Sequence, residues 1–363
     1  MRPFRVTAVL AALLSATVLS GTAHAAHPST GVLSTTHTAG RVQDGGHSVR
    51  YSWPGVYFEG RFRGTGVGIV LNDADADYDV QIDGATVTTL VTPGRTTYWV
   101  RGLAKGVHSV RLVKRSESPW ATSAFGGFVA VPGGAILPGP PPRHRQIEFI
   151  GDSYTAGYGN VSDTRDCTTD QVNRTTNADL GFAALTARRL SADYQINAFS
   201  GRGMVRNYNG IEPGTDFRTY YDRALLNVEG DIWRNPGTWR PQLVVVGLGI
   251  NDFSTAINPG EPWTPESLVA AYRTAYHGFL DKLRARYGPR TVIVVTATHV
   301  SGTTALADAA QQIVRERHDR VRYWYYAETG LDYQGCHWHP SLHDHQIIAD
   351  RLGEFITTLR LRW

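Results

Sequence analysis

Four residues in the last three-fifths of the 363-residue sequence have the types needed to hydrolyse an ester. Each of them follows an apolar segment or precedes the last predicted helix. These residues are Ser153, Gly201, Asn251 and His339. Ser153 stands in Gly151-Asp152-Ser153, directly after the apolar run 147–150. A serine at the end of a buried strand places its hydroxyl at the edge where open α/β sheets bind ligands.

Attack on an ester carbonyl needs a nucleophile, a base and hydrogen-bond donors for the oxyanion that forms. Ser153 is the candidate nucleophile. His339 is the candidate base, because a serine hydroxyl attacks well only when an imidazole removes its proton. The candidate donors of the oxyanion hole are the backbone amides of Ser153 and Gly201 and the side-chain amide of Asn251. Gly201 suits this role because a close backbone approach to a substrate oxygen tolerates no side chain.

Each of these residues also has an ordinary structural explanation. The Gly-Asp-Ser tripeptide would look the same in a capped turn, and Asn251 would suit a simple turn. His339 would suit the surface beside a helix. Their common position favours chemistry, because the carboxyl ends of parallel strands meet at one edge of a sheet.

In this order, the motifs resemble those of the SGNH (GDSL-type) hydrolase superfamily. The residues that carry the resemblance are Gly151-Asp152-Ser153, Ser200-Gly201-Arg202-Gly203, Gly249-Ile250-Asn251-Asp252 and Cys336-His337-Trp338-His339-Pro340. The resemblance covers residues 146–363. It implies a three-layer α/β/α domain with a parallel sheet, and an acyl-enzyme formed by the serine with the help of the histidine.

Within that superfamily the chain looks most like carbohydrate esterase family two, whose members pair an N-terminal jelly-roll with an SGNH domain. Residues 151–160, 200–208 and 336–341 carry this likeness. The resemblance implies an O-acetyl esterase, without cofactor or metal, whose partners are acetylated xylan, related polysaccharides or oligosaccharides. Trp338 is a candidate substrate-binding residue, since a tryptophan beside the histidine either stacks on a sugar ring or packs.

The sequence departs from the superfamily pattern just before the histidine. The superfamily usually places an Asp a few residues upstream, but His337 stands at that position and Asp332 is seven residues before His339. The simplest interpretation is a Ser–His dyad in which a backbone carbonyl orients the imidazole. A carbonyl fixes the tautomer but stabilises the imidazolium less than a carboxylate does. We therefore expect lowered activity.

Residues 1–25 predict a signal peptide. Arg2 and Arg5 form a basic start, followed by an apolar stretch too short to span a bilayer and a small-x-small cleavage site ending at Ala25. We expect a secreted product with no membrane segment. Loss of the two arginines lowers the formal net charge from +4 to +2. Without a Lys/Arg cluster among aromatics, the sequence does not indicate a nucleic-acid partner.

The two cysteines are Cys167 and Cys336. In an oxidising destination we expect a disulfide between them, which would tie together two loops of the active site. Two free thiols are the alternative. A zinc site is not indicated, because two distant cysteines lack the paired spacing of zinc ligands.

The mature chain is too long for one compact core and predicts two domains. Residues 30–132 hold short alternating stretches, such as 78–82 and 108–113, which predict a β-sandwich of the jelly-roll type. Residues 133–145 form a Pro/Gly linker. Residues 146–363 form the SGNH domain, and we expect a monomer.

Beyond the linker, predicted strands alternate with helices, which indicates a parallel sheet covered on both faces. The predicted strands are 147–150, 194–199, 243–246, 291–296 and 321–326. The predicted helices are 182–190, a long helix from Thr264-Pro265 to residue 283, and 342–359.

Two other functions fit the sequence. One is an SGNH esterase or lipase that acts on other acyl esters. The second is a carbohydrate-binding protein whose catalysis is weakened, as the absence of the usual Asp would indicate. Hydrolysis of p-nitrophenyl acetate, compared with longer esters, separates these functions.

Overall fold

The structure is a computed structural model that describes Met1 and residues 31–363. Apart from Met1, the predicted signal peptide lies outside the described residues. Within those residues, no helix has the length and apolar character to cross a membrane.

The N-terminal part is an antiparallel sheet of eight strands. Its strands are β1 (Gln43–Asp44), β2 (Val49–Tyr51), β3 (Tyr57–Asp73), β4 (Tyr78–Ile82), β5 (Ala85–Leu90), β6 (Gly94–Lys114), β7 (Ser123–Ala130) and β8 (Ala135–Leu137). The strand order is β1-β2-β7-β3-β6-β4-β5, with β8 paired to β3. The long strands β3 and β6 pair along most of their length, with a register shift between Gly64 and Gly66. The predicted all-β domain is confirmed, and β8 forms from part of the predicted linker.

The C-terminal part is a parallel sheet of five strands with helices. Its strands are β9 (Arg145–Gly151), β10 (Ala192–Ala198), β11 (Leu243–Gly247), β12 (Val292–Thr298) and β13 (Val321–Tyr326). The helices are α1 (Ser153–Ala156), α2 (Thr169–Thr175), α3 (Phe182–Arg189), α4 (Phe217–Tyr220), α5 (Ile250–Phe253), α6 (Pro265–Tyr287), α7 (Ala305–Arg315) and α8 (Leu342–Thr358). The strand order is β10-β9-β11-β12-β13. The predicted α/β domain is confirmed, and each predicted strand overlaps one of these five.

The central strands β11 and β12 read as apolar runs, because residues of helices pack against both of their faces. Every residue of β10 and of β12 is buried. The long helix α6 begins where the sequence places it. The Thr264 side chain accepts a hydrogen bond from the Ser267 amide, and Pro265 occupies the first helical position, where it costs no hydrogen bond.

A buried ion pair joins the two parts of the molecule. Arg41 Nη2 donates to Glu148 Oε1 at 2.7 Å, and neither side chain is exposed. The Arg41 guanidinium lies over the Tyr221 ring, 4.3 Å from its centroid. Glu148 also accepts hydrogen bonds from the Tyr221 hydroxyl at 3.0 Å and from Asn197 Nδ2 at 2.6 Å. Because a buried charge is tolerated only when it is paired, this pair fixes the segment before β1 against strand β9.

Replacing Arg41 by Met should lower the free energy of unfolding by about 3–5 kcal/mol, because Glu148 is left as an unpaired buried charge. The double variant Arg41→Met/Glu148→Gln should recover more than half of that loss, since the amide keeps an acceptor for Tyr221 and Asn197. Denaturant unfolding of the purified variants measures both values. A loss below about 1 kcal/mol for Arg41→Met would show that the pair does not join the domains.

Candidate active site

The register of the parallel sheet brings three of the four candidate residues to one edge. Gly151 at the end of β9 lies opposite Ala198 of β10 and Gly247 of β11. The segments that carry Ser153, Gly201 and Asn251 therefore leave the sheet side by side. The motifs at the strand ends predicted this arrangement.

Ser153 begins the short helix α1 and is buried. The Asp152 carboxylate caps this helix by accepting a hydrogen bond from the Tyr154 amide at 3.1 Å. Gly151 has no room for a side chain, because an added Cβ would lie 2.1 Å from Thr155 Oγ1. The tight turn from strand to helix holds the Ser153 hydroxyl at the sheet edge.

His339 lies beside Ser153, although 186 residues separate them in sequence. The distance from His339 Nε2 to Ser153 Oγ is 2.8 Å. On the other side of the ring, Nδ1 lies 2.9 Å from the Cys336 carbonyl oxygen and 3.2 Å from that of His337. Carbonyl oxygens only accept hydrogen bonds, so Nδ1 carries the proton and Nε2 accepts from the Ser153 hydroxyl.

The surroundings of His339 keep its imidazole neutral. Burial lowers the pKa of His339 to about 4, although the two carbonyl acceptors act in the opposite direction. No carboxylate among the described residues accepts a hydrogen bond from this ring. The Asp332 carboxylate instead accepts from the Gln334 amide at 2.9 Å. The imidazole is thus available as a base, and its protonated form lacks the stabilisation that a carboxylate gives.

The side chain of His337 points away from His339. Its Nδ1 accepts a hydrogen bond from the Tyr158 hydroxyl at 3.0 Å, and its Nε2 donates to the Cys167 carbonyl at 2.9 Å. His337 has a left-handed backbone with φ of 52°. The residue at the usual Asp position therefore contributes a carbonyl oxygen to His339, and its imidazole holds two neighbouring loops.

Asn251 and the loop after β10 follow the strands on either side of β9, at the same sheet edge as Ser153. Asn251 is buried, and its Nδ2 donates one hydrogen bond to the Arg202 carbonyl at 3.0 Å. That bond orients the amide and leaves its second N–H free to donate. The Asp252 carboxylate accepts hydrogen bonds from the backbone amides of residues 204–206 at 2.8–2.9 Å. Gly201 has φ of 79° and open space on its Cβ side.

The predicted disulfide between Cys167 and Cys336 is present, with an S–S distance of 2.04 Å. The Cys336 amide donates to the Gly159 carbonyl at 3.2 Å. Gly159 must be glycine, because an added Cβ would lie 2.3 Å from the Cys336 Cβ. The bridge and this close contact hold the His339 segment against the loop that follows Ser153.

The aromatic residues around the site divide into exposed and packed groups. Trp338 is 65% exposed, and the Arg165 guanidinium lies 3.7 Å from its ring centroid. Trp233 and Trp239 lie away from the site, buried in the core near Gln146 at the start of β9. Tyr158 packs on His339 with ring centroids 4.4 Å apart. Tyr158 was not predicted to act at the site, and its position four residues after Tyr154 is the only feature of the sequence that indicates such a role.

Comparisons with known proteins identify the family. Residues 38–140 match the carbohydrate esterase 2 N-terminal family, and residues 149–345 match the GDSL-like lipase/acylhydrolase family. An acetylxylan esterase/glucomannan deacetylase of Cellvibrio japonicus is 40% identical over 308 residues, which cover 84% of each chain. The chain belongs to carbohydrate esterase family two. It is a carboxylic-ester hydrolase of that family.

Other relatives of this carbohydrate esterase agree with the assignment. The cellulase/esterase CelE of Acetivibrio thermocellus is 30% identical over 324 residues, which cover 86% of this chain and 38% of that protein. A family two carbohydrate esterase from Clostridium thermocellum, solved in complex with cellohexaose, has a TM-score of 0.77 at 29% identity. The superposition covers 89% of this chain and 98% of the Clostridium thermocellum chain. The two-domain fold of the family is therefore confirmed for this chain.

In this esterase, His337→Ala should retain at least about a third of wild-type kcat, whereas His339→Ala should lower kcat by about three orders of magnitude or more. The reason is that backbone carbonyls orient His339 and survive a side-chain change at 337. His337→Asn is the matched control, because Asn tolerates the left-handed backbone well. Turnover of p-nitrophenyl acetate measures all three. An equal loss of kcat in His337→Ala and His339→Ala would show that the His337 side chain takes part in catalysis.

The esterase should also remain active in mildly acidic solution. A base must be neutral to accept a proton, so activity is present above the pKa of His339 and is lost as the pH falls through it. With that pKa lowered to about 4, the acid limb of kcat/KM should lie well below the ordinary histidine value of about 6.5. Burial raises the pKa of the neighbouring Asp152 to about 7.

The variant Asp152→Asn separates these two groups, because Asn keeps the helix cap and does not titrate. The acid limb that remains in this variant belongs to His339. A remaining limb at or above pH 6.5 would contradict the proposed environment of the imidazole.

Proposed function

We propose that this chain is a secreted carbohydrate O-acetyl esterase that works through an acetyl-enzyme on Ser153. The observation that carries the proposal is the 2.8 Å contact between Ser153 Oγ and His339 Nε2. The Nδ1–H of His339, held by the carbonyls of Cys336 and His337, leaves Nε2 as an acceptor. A serine hydroxyl in this position can lose its proton as it attacks.

In the first half of the proposed reaction, Ser153 Oγ attacks the acetyl carbonyl and His339 Nε2 takes its proton. The oxyanion receives hydrogen bonds from the Ser153 and Gly201 amides and from the free N–H of Asn251. His339 then gives the proton to the sugar oxygen that leaves, and the acetyl group stays on Ser153. A water molecule, deprotonated by His339, attacks this ester, and collapse releases acetate and regenerates the hydroxyl.

The substrate class comes from the relatives. The Cellvibrio japonicus relative is named for the deacetylation of xylan and of glucomannan. The exposed ring of Trp338, which directly precedes His339, offers an aromatic surface for a sugar. Acetylated polysaccharides or oligosaccharides are therefore the proposed substrates. Parallel measurement of acetate release from acetylated xylan, acetylated glucomannan and acetylated sugars identifies which of them is used.

Export is part of the proposal. The basic and apolar pattern of residues 1–25 supports a signal peptide, and a disulfide suits an oxidising compartment. N-terminal sequencing of the protein from the culture medium tests this point. A mature chain that begins shortly after Ala25 is expected, and retention of Met1 in the cell would contradict it.

Ser153→Ala should lower kcat for acetate release from acetylated xylan by at least about three orders of magnitude, while the fold persists. The alanine removes only the hydroxyl, so the thermal unfolding midpoint should stay near that of the wild type. Wild-type cleavage of p-nitrophenyl acetate should exceed that of longer acyl esters. A kcat of Ser153→Ala above about a thousandth of the wild-type value would show that Ser153 is not the nucleophile. A preference of the wild type for long acyl chains would favour a lipase.

A further inference from the structure

The N-terminal domain reaches the candidate oxyanion hole through one side chain. Glu117 lies just after β6, in the segment that leads from the antiparallel sheet toward the site. Its Oε1 accepts a hydrogen bond from the Ser200 amide at 2.9 Å, and its Oε2 accepts one from the Ser200 hydroxyl. Ser200 directly precedes Gly201. A carboxylate of one domain thus holds the residue beside a candidate oxyanion donor of the other.

Buried contacts fix the segment that carries Glu117. Lys114 is fully buried, and its Nζ donates to the Ser52 carbonyl at 2.6 Å and to Ser118 Oγ at 2.7 Å. Ser116 Oγ accepts a hydrogen bond from the Asp77 amide at 2.9 Å. Residues on both sides of Glu117 are therefore tied to the antiparallel sheet, so the carboxylate is presented from a rigid support.

The loop that Glu117 contacts is anchored on both sides of Gly201. The Gly201 carbonyl accepts from the Tyr208 amide at 2.9 Å, and the Asp252 carboxylate binds the amides of residues 204–206. Before Gly201, the Phe199 amide donates to the Gly151 carbonyl at 3.1 Å. Glu117 holds the intervening Ser200 by its amide and its hydroxyl, directly before the peptide unit that carries the Gly201 N–H.

We propose that Glu117 of the N-terminal domain is a positioning residue, which aims the Gly201 N–H at the oxyanion, so that the esterase site is complete only with both domains. The proposal rests on the proposed function, because it takes Gly201 as an oxyanion donor. Glu117 acts through Ser200 and touches no reacting atom. Its loss should misplace one donor in the transition state and leave substrate binding nearly intact.

The size of the effect follows from the geometry of such sites. Removal of one oxyanion donor costs about a hundredfold or more in rate, and a displacement of about 1 Å has costs of similar order. Glu117→Ala removes both acceptors of Ser200 and should lower kcat about 10- to 100-fold, with KM within about twofold of the wild type. A residue that only stabilised the fold would not separate kcat from KM in this way.

Two further variants make the test specific. Glu117→Gln keeps an oxygen for the Ser200 amide and offers an N–H to the Ser200 hydroxyl, so its kcat should recover to within about threefold of the wild type. Glu117→Asp keeps the charge but is one methylene shorter, so its kcat should fall about tenfold. It serves as the decisive variant if the alanine protein does not fold.

Glu59→Gln is the matched control. Glu59 lies on β3 and accepts hydrogen bonds from the Arg143 guanidinium at 2.9 and 3.0 Å, where the N-terminal domain meets the segment before β9. This variant weakens a contact near the domain junction without touching the loop of Gly201. Its kcat should stay within about twofold of the wild type, even if its unfolding midpoint falls.

The experiment measures kcat and KM of these full-length proteins with p-nitrophenyl acetate, together with inhibition by methylboronic acid, whose serine adduct is tetrahedral and resembles the intermediate. Glu117→Ala and Glu117→Asp should weaken this inhibitor by about the same factor as they lower kcat. Unchanged kcat and inhibition in the Asp variant, or a rise in KM alone, would overturn the proposal.

Failure of the proposed function has a different signature. If the wild type hydrolyses p-nitrophenyl acetate but no acetylated carbohydrate, the substrate assignment fails and the comparison of Glu117 variants proceeds unchanged. If the wild type hydrolyses no ester, the rate at which a fluorophosphonate labels Ser153 replaces kcat. Slower labelling of Glu117→Asp than of the wild type supports the role of Glu117. Equal rates, or no labelling of the wild type, overturn it.

Discussion

The hydrogen bond between Ser153 and His339 is the contact on which the arrangement of this esterase depends. A serine hydroxyl and an imidazole must lie within about 3 Å of each other, with the imidazole neutral and its other nitrogen protonated. The chain meets these conditions with parts that are far apart in sequence. The sheet edge places Ser153, the disulfide to Cys167 holds the segment of Cys336, and two carbonyl oxygens fix the tautomer of His339. Burial then keeps the ring uncharged through a lowered pKa.

The antiparallel domain forms part of the same framework. Arg41 enters the C-terminal domain as a buried cation and pairs with Glu148 on β9, the strand that ends just before Ser153. Glu117 reaches the loop of Gly201 from another side. Both contacts place charged groups of one domain against active-site elements of the other, and both are lost if the domains separate. This explains in physical terms why the two domains would occur together.

Patterns within short segments predicted much of this fold. Apolar runs such as 147–150 and 243–246 marked the central strands, and Thr264-Pro265 marked the start of α6. Motifs at strand ends located Ser153, Gly201 and Asn251, because strand ends of a parallel sheet share one edge. Contacts between distant side chains left no such pattern. The direction of the His337 imidazole depends on a left-handed backbone and on the contact with Tyr158. The contact of Glu117 with Ser200 depends on how the two domains pack together. Neither could be predicted from the sequence.

The central claim is that catalysis passes through an acetyl group on Ser153, with His339 as the base. Rapid mixing with p-nitrophenyl acetate, an acid quench within one turnover and peptide mapping by mass spectrometry test it directly. The account predicts an acetyl group on the peptide that contains Ser153 in the wild type, and at most a trace of it in His339→Ala. Release of p-nitrophenol in the first turnover without an acetylated Ser153, or with the acetyl group on another residue, would contradict the account.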